Sequence, residues 1–561
     1  MKSAILVAVA ALTLAAILAP SAAPPPALFE DRTANSGISF VLKNAASPEK
    51  HQIETMAGGV AVFDYDNDGY PDIYFTNGAE QPSLEKTGPQ YRNRLYRNKH
   101  DWTFEDVTDT AGVGGTGFNI GAATADYDND GFADLFVTGV KGNTLFHNRG
   151  DGGFEDVTRR AGLESHEWSV AAAWVDYDND GLLDLFAVNY VKWDPAAELF
   201  CGDAARGIRT YCHPRFYGPL PNRLYHNNGD GTFTDVSTTS GIAAHPGKGM
   251  GIAIADYDHD GWMDVFVAND TVQNFLFHNE HNGRFRETAL QAGVALNDDG
   301  KALSSMGVDF RDLDNDGWED LFVTALSSET FPVFRNLGRG LFIDNTYPSH
   351  VGTISMPFSG WSVGIFDFDN DGWKDVFAAA GDVQNNTELL SSRKSRLQNL
   401  LLMNDGRGAF RPALAGPAAQ NRGVAFGDFD RDGRVDAVVT RLNEPPVLLR
   451  NVLGSGNHWI ALRLIGGKSN RDAIGARVTI RAGGLTQVNH VTTSNGFGCS
   501  SEPPVHFGLG PSTRVDSVEI AWPSGSRQTL TDIPAGSYVS VRESSGAPGV
   551  HRERSPAADD Q

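Results

Sequence analysis

The stretch DYDNDGYPD, residues 64–72, places four aspartates around a single glycine. Carboxylates at that density repel one another, so the loop needs a compensating partner. The pattern returns as DYDNDGFAD from Asp126, DYDNDGLLD from Asp176, DYDHDGWMD from Asp256, DLDNDGWED from Asp312, DFDNDGWKD from Asp367 and DFDRDGRVD from Asp428. All seven copies keep aspartate at positions 1, 3, 5 and 9 and glycine at position 6. Copies begin 50 to 80 residues apart, so a fixed unit is joined by variable connections.

Each loop is flanked by strand-like residues. Small and apolar residues precede it (GAATADYD) and an apolar run follows it (DLFVTG). A third stretch follows as NRLYRN at Asn93, NTLFHN at Asn143 and NRLYHN at Asn222. A fourth comes after a Gly-rich turn, as FEDVTDTAGV at Phe104 and FEDVTRRAGL at Phe154. Four short strands per unit without helical periodicity describe an antiparallel propeller blade. The fourth stretch also stands before the first loop, as FEDRTANSGI at Phe29, and nothing like it follows the last loop. This predicts an all-β chain, a seven-bladed β-propeller over residues 29–453 whose N-terminal strand completes the last blade. Residues 457–543 alternate in strand fashion with glycine turns, which predicts a small β-sandwich-like domain, and 544–561 read as a disordered tail.

In D-x-D-x-D-G-x-x-D the carboxylates at 1, 3, 5 and 9 converge as the chain turns, and glycine permits the turn. Hard oxygen donors in this number suit Ca²⁺. The expected ligands are Asp64, Asp66, Asp68 and Asp72 in the first copy, then Asp126, Asp128, Asp130 and Asp134, and Asp176, Asp178, Asp180 and Asp184. Asp256, Asp258, Asp260 and Asp264 follow, then Asp312, Asp314, Asp316 and Asp320, then Asp367, Asp369, Asp371 and Asp375. Asp428, Asp430, Asp432 and Asp436 make up the last copy. The loop is no EF-hand, because Phe75, Val137 and Ala187 stand where that motif needs its position-12 glutamate. Up to seven ions are expected, one per loop, with the last loop the weakest because it contains Arg431 and Arg434. Seven divalent ions would bring the formal charge of −24 to −10.

That acidity argues against nucleic acid as a partner, since phosphate binding needs a basic face. The N-terminus has Lys2, an apolar run from Ala4 to Leu18 and the small residues Ser21-Ala22-Ala23, which read as a signal peptide over residues 1–23. That run is short for a membrane helix and no later run spans a bilayer, so export to the outside or the periplasm is expected, without a membrane span. Among three cysteines, Cys201 and Cys212 lie close enough to pair in an oxidising compartment, and Cys499 is left over.

The repeats resemble the FG-GAP/VCBS type of integrin α-subunit propellers. NHWIALRLIGGKSNRDAIGARVTIRAGG from Asn457, VHFGLG from Val505 and VEIAWPSGSRQTL from Val518 resemble the ASPIC/UnbV domain. The whole arrangement is similar to the cartilage acidic protein family and its exported bacterial relatives, which implies Ca²⁺ in the hairpin loops away from the partner-binding face. One departure is Cys499 in SNGFGCSSEPP, where a polar residue is expected.

Arg149-Gly150-Asp151 falls in register with the turn NNGDG at Asn227 and reads as a turn. His147, His226 and His278 share one blade position and read as packing. Two insertions interrupt the repeat: residues 44–59, with His51 and Glu54, and residues 189–222, with Trp193, Tyr211, His213, Arg215 and Tyr217. These seven residues are the expected ligand contacts at one propeller mouth. No G-x-S-x-G, H-E-x-x-H, P-loop or dinucleotide motif is present. The sequence therefore reads as a non-enzymatic, monomeric, calcium-binding adhesion scaffold that takes a protein or glycan at its mouth. A propeller lectin and a mouth-based lyase, hydrolase or cyclase are the alternatives, the enzyme with His51, Glu54 or His213 as acid/base groups.

Overall fold

The computed structural model describes residues 28–544 and the backbone of residues 549–554. The signal-peptide reading falls outside these residues. Among them no helix is long and apolar enough to cross a membrane.

Seven sheets hold the seven aspartate loops, six of them of four antiparallel strands and the first extended to six by two short strands from residues 494–500, each loop joining the first and second strands of its blade. In the second sheet the strands are Phe118–Ala125, Asp134–Val140, Thr144–Asn148 and Phe154–Asp156. The first strands of successive sheets touch in order, and the last (Asn421–Gly427) touches the first (Val60–Phe63), so the sheets form a closed ring of blades, numbered here by their loops. Blade 7 takes its outer strand from the N-terminus: Phe29 pairs with Asn451, Glu30 with Arg450 and Asp31 with Leu449. Closure in this way leaves the ring without a free edge at the seam.

The inner strands crowd one another near the ring axis. A Cβ on Gly121 would lie 2.4 Å from the Val170 carbonyl oxygen, and one on Gly307 would lie 2.1 Å from that of Trp361. Glycine is required at these two positions by that approach.

One side chain per blade staples each sheet to its neighbour. The asparagine ending the third strand donates its amide to the second loop residue of the preceding blade: Asn98 to Phe429, Asn148 to Tyr65, Asn227 to Tyr127, Asn279 to Tyr177, Asn336 to Tyr257, Asn404 to Leu313 and Asn451 to Phe368. All seven are buried.

Residues 458–554 form two four-stranded sheets packed over one apolar core that includes Ile460, Leu462, Val478, Ile480, Val518 and Val539. In one sheet His458–Ile465 runs parallel to Ser537–Arg542. Part of the segment read as a tail, Gly549–Arg554, pairs antiparallel with Ser537–Arg542, which otherwise would present an unpaired edge. The rest of that segment lies outside the described residues.

Removing the Asn148 side chain leaves the buried Tyr65 carbonyl and the part-buried Ala133 carbonyl without their donor. Asn148→Ala is expected to cost about 2–4 kcal/mol of unfolding free energy, read from the urea midpoint of the full chain.

Candidate metal loops and the open mouth of the ring

The aspartate loop is built by its own backbone. In blade 2 the Asp126 carboxylate accepts the N–H groups of Asp130 (3.0 Å) and Gly131 (2.8 Å). Asp134 accepts from Tyr127 (3.2 Å) and from Asn148, the first residue after the blade-position histidine (2.7 Å). The ninth aspartate holds the end of the third strand in this way in all seven blades. Position 4 of every loop is left-handed, with φ between 56° and 60° in Asn67, Asn129, Asn179, His259, Asn315, Asn370 and Arg431. Asparagine tolerates that conformation better than other residues with a Cβ.

Position 4 also links the loops. Asn67 donates to the Gly131 carbonyl, Asn129 to Gly181, Asn179 to Gly261, Asn315 to Gly372 and Asn370 to Gly433, each at 2.8–3.1 Å. Arg431 Nε closes the circle on Gly69 at 2.7 Å, and His259 reaches Glu319 instead at 3.0 Å. The sequence contained this signal as a recurrent Asn at position 4, but spacing alone did not show that it points to the next blade.

Carboxylate oxygens in the loops lie within 4.8 Å of one another, as in Asp64, Asp66 and Asp72 and in Asp126, Asp128 and Asp134, and these clusters could hold a metal ion. Two observations show that the donors fit a hard divalent cation. Buried oxygens of Asp66, Asp178, Asp258 and Asp430 have no hydrogen-bond partner. The carboxyls are also pushed far above their ordinary range: Asp176 to about 7, by burial and then by Asp184 and Asp180, and Asp126 to about 8, by burial and then by Asp472. A divalent charge among such oxygens removes both penalties.

The blades differ at the residue before the stapling asparagine. His147, His226 and His278 were read as packing, yet each places Nδ1 3.2 Å from the ninth aspartate of its loop. The position is Arg97, Arg335, Met403 and Arg450 in the other blades. In blade 5 Arg335 reaches Asp314 (2.5 Å) and Asp316 (3.0 Å). In blade 7 Arg450 reaches Asp430 (2.6 Å) and Asp432 (3.3 Å), Arg434 pairs with Asp432, Trp102 donates to Asp430 (2.8 Å) and Tyr538 donates to Asp428 (2.7 Å). The protein thus supplies its own cations to the seventh loop.

The C-terminal domain docks on this loop face. Arg471 N–H donates to Asn129 (2.7 Å), Asp472 accepts from Asp126 N–H (2.7 Å), and Arg477 donates to the Gly317 carbonyl (2.8 Å). Its loop at residues 493–501 enters the centre of the ring. Ser500 pairs with Ala61 of blade 1, Gly498 accepts from Ala122 of blade 2, Gly496 donates to Val308 of blade 5, and Asn495 donates to Val363 of blade 6 and Val424 of blade 7. Phe497 is fully buried, edge-on to Trp361 with ring centres 5.2 Å apart. Cys499 sits in this plug, its thiol pushed up to about 11 by burial, and serves as a small buried apolar group.

At the other end of the ring the two insertions meet. Cys201 and Cys212 form a disulfide, with Cα atoms 5.3 Å apart. Glu198 accepts from Trp193 Nε1 (2.7 Å) and from the Tyr217 hydroxyl, and lies 3.1 Å from His51 Nδ1. Glu54 accepts from the Tyr211 hydroxyl at 3.0 Å and from Ser47 at 2.6 Å. These contacts anchor the insertions to each other. A cavity of about 210 Å³ opens beside them, and of the seven expected ligand contacts only Tyr211 and His213 line it. Arg215 is exposed and stacks over Phe216. The cavity is lined instead by residues not singled out from sequence, among them Gln52, Tyr190, Asp270, Thr271 and Trp361. Tyr190 donates to Asp270 at 2.7 Å. Arg149-Gly150-Asp151 is an exposed turn closed by Gly153 N–H on Asp151 (3.0 Å).

With the geometry in place, comparison with known proteins is decisive for the family. The FG-GAP-like repeat matches residues 64–137, 126–187, 198–267, 256–323 and 312–378, and ASPIC and UnbV matches 466–548. The chain belongs to the FG-GAP-like repeat family. Its C-terminal domain belongs to ASPIC and UnbV. Cartilage acidic protein 1 of Homo sapiens is 28% identical over 320 residues, 55% of this chain and 46% of that protein. The Mus musculus protein is 28% identical over 302 residues, 52% and 44% respectively. The chain thus spans about half the length of these relatives. Among solved structures, an Agrocybe aegerita lectin described as recognising non-reducing terminal N-acetylglucosamine overlaps with TM-score 0.39 and 18% identity, over 70% of this chain and 87% of that one. A rhamnogalacturonan lyase of Bacillus licheniformis gives 0.38 and 13%, over 75% of each. Overlap at this level carries no argument about function.

Burial pushes the Asp270 carboxyl up to about 7, with Glu329 adding to the effect and Tyr190 and Lys248 opposing it. Its folded value exceeds its unfolded one, so its contribution to stability is full below about pH 4 and is lost as pH rises to about 7. Asp270→Asn should therefore gain on the native chain across that window, by up to about 1.4 kcal/mol per pH unit, and show no further gain above it, in parallel urea titrations.

Proposed function

We propose that the chain is an exported, calcium-stabilised binding scaffold. The ring spans residues 29–453, the docked domain spans 457–543, and a protein or glycan binds at the open mouth. The single observation that supports the mouth is the division of the two faces. The metal loops lie under the C-terminal domain, whose plug fills the ring centre, while the cavity opens at the opposite end among the two insertions. The Cys201–Cys212 disulfide suits an oxidising compartment. His213, with the rim residue Arg393, is the point of contact, and the anchored residues His51, Glu54, Trp193, Tyr211 and Tyr217 hold the rim in shape.

Calcium is held by the first, third, fifth and ninth aspartates of blades 1–4 and 6, and less tightly in blade 5, where Arg335 competes. In blade 7 the arginines take its place. Bound only by the folded chain, the ion adds to stability.

Excess EDTA is expected to lower the melting temperature by about 5 °C or more, and calcium to restore it. Metal analysis of the dialysed, calcium-loaded chain should count no more than six ions, and Arg450→Met should raise the count. An EDTA scan without a shift in demonstrably metal-loaded protein, or seven ions in the native chain, would refute the assignment.

For the mouth, the immobilised full chain is screened on a glycan array and against purified matrix proteins. The double variant His213→Ala/Arg393→Ala should weaken any hit at least fivefold, whereas Arg407→Ala, in an outer turn of blade 6, should not. Equal loss in both, or in neither, places binding elsewhere.

A further inference from the structure

The mouth cavity contains more free hydrogen-bonding capacity than a structural cavity needs. Gln52 is 3% exposed, and its side-chain carbonyl has no partner; its amide makes only a long 3.5 Å contact to the Tyr190 hydroxyl. Asp270 is 8% exposed and uses one carboxyl oxygen on Tyr190. The Thr271 hydroxyl is buried and also lacks a partner. A buried acceptor left unmade costs on the order of 1–3 kcal/mol, so two such groups around one space, beside the Asp270 carboxylate, call for an occupant.

Thr271 carries a second mark. Its φ is +62°, and it is the one β-branched residue among the described non-glycine residues with positive φ. A branched side chain is strained there, and a glycine or asparagine would remove the strain. The backbone is held by Thr271 N–H on the Leu303 carbonyl at 2.9 Å, and the residue lines the cavity.

The chemistry of the lining selects the ligand. Tyr190, Trp361, Met250 and Met306 give an apolar, partly aromatic wall. The Gln52 carbonyl and the Asp270 carboxylate accept hydrogen bonds and the Thr271 hydroxyl both accepts and donates, so the occupant must offer donors and suits a hydroxyl-bearing molecule. The charge is balanced: Lys248 faces Asp270, and the fully buried Arg422 lies 3.9 Å over the Trp361 ring. A bare cation or anion therefore has no unopposed counter-charge. At about 210 Å³ the space is below the roughly 300–1,000 Å³ of sites for drug-sized ligands, which limits the occupant to about one ring.

We propose that this cavity is a subsite for one neutral sugar ring, whose hydroxyls donate to Gln52, Asp270 and Thr271 while its apolar face lies on the Tyr190–Trp361 wall. The assignment rests on the reading of the mouth as the binding end and names the chemistry it takes there.

Saturation-transfer NMR on the calcium-loaded full chain tests it, with methyl glycosides of glucose, galactose, mannose and N-acetylglucosamine as probes and choline as a cationic control. At least one glycoside should receive transfer, and choline none. Thr271→Gly should reduce that transfer at least fivefold while leaving the melting temperature equal or higher, because the substitution removes strain and no native hydrogen bond. Asp270→Asn should reduce it as well, and Tyr190→Phe less. Absence of transfer to every glycoside, transfer to choline, or transfer kept in both Thr271→Gly and Asp270→Asn would overturn the assignment. A glycan-array or matrix-protein hit lost in His213→Ala/Arg393→Ala, with no glycoside transfer, would overturn the sugar subsite alone and leave the mouth reading in place.

Discussion

Everything in this fold hangs on one backbone turn that concentrates negative charge. The loop needs two left-handed residues within three positions, such as Asn67 and Gly69 with φ of 57° and 92°. That turn points the carboxylates of Asp64 and Asp72 inward onto the loop's own N–H groups. The same turn leaves the amide of Asn67 and the carbonyl of Gly69 facing sideways, where the neighbouring loops use them. A carboxylate cluster that could hold a metal ion and an inter-blade hydrogen bond are two outputs of a single conformation. The ring is therefore tied at its loop rim by geometry that the charge makes costly, and a divalent ion would offset the cost.

The seven copies act as internal controls on that cost. Partnerless buried carboxylate oxygens remain in blades 1, 3, 4 and 7, and where Arg450 replaces the histidine it reaches Asp430 and Asp432. The substitution falls at the seam, on the strand that pairs with Phe29–Asp31. There the two ends of the ring meet, and Arg434 and Arg450 bring side-chain cations onto Asp432 and Asp430. The C-terminal domain adds to the same blade through Tyr538 and through Glu502, which pairs with Arg431 at a side-chain burial near 90%.

That docking also explains why the mouth is at one end only. Backbone groups of the inner strands near the axis need partners, and the plug supplies them from Ser494 to Ser501. Phe497 then supports Trp361, whose other side carries Arg422 and whose edge reaches the cavity. The C-terminal domain and the mouth are thus joined by a short chain of packed rings that links the loop face to the opposite end of the ring.

Local chemistry was legible in the sequence. The aspartate spacing, the glycine at position 6 and the alternating strands follow from short-range rules, and so does the pairing of Cys201 with Cys212. The unmatched FEDRTANSGI stretch even pointed to the partner of Val447–Asn451, because a repeat with one strand missing must borrow it. What depended on distant contacts was not legible. Asn129 and Arg450 look like ordinary polar residues until the next blade and the adjacent strand are in place. His147 looked like packing because its partner, Asp134, precedes it by a whole strand. Only docking turns Arg471 and Asp472 toward Asn129 and Asp126. The aromatic insertion drew attention to Trp193 and Tyr217, which Glu198 holds, while Asp270 and Thr271 came from the end of a regular blade strand. The sequence by itself determined the repeat, its charge and its turns, since those depend on neighbours within a few residues. Tertiary structure decided which face is covered and which groups line the mouth, since both arise where seven blades and a second domain converge on one axis.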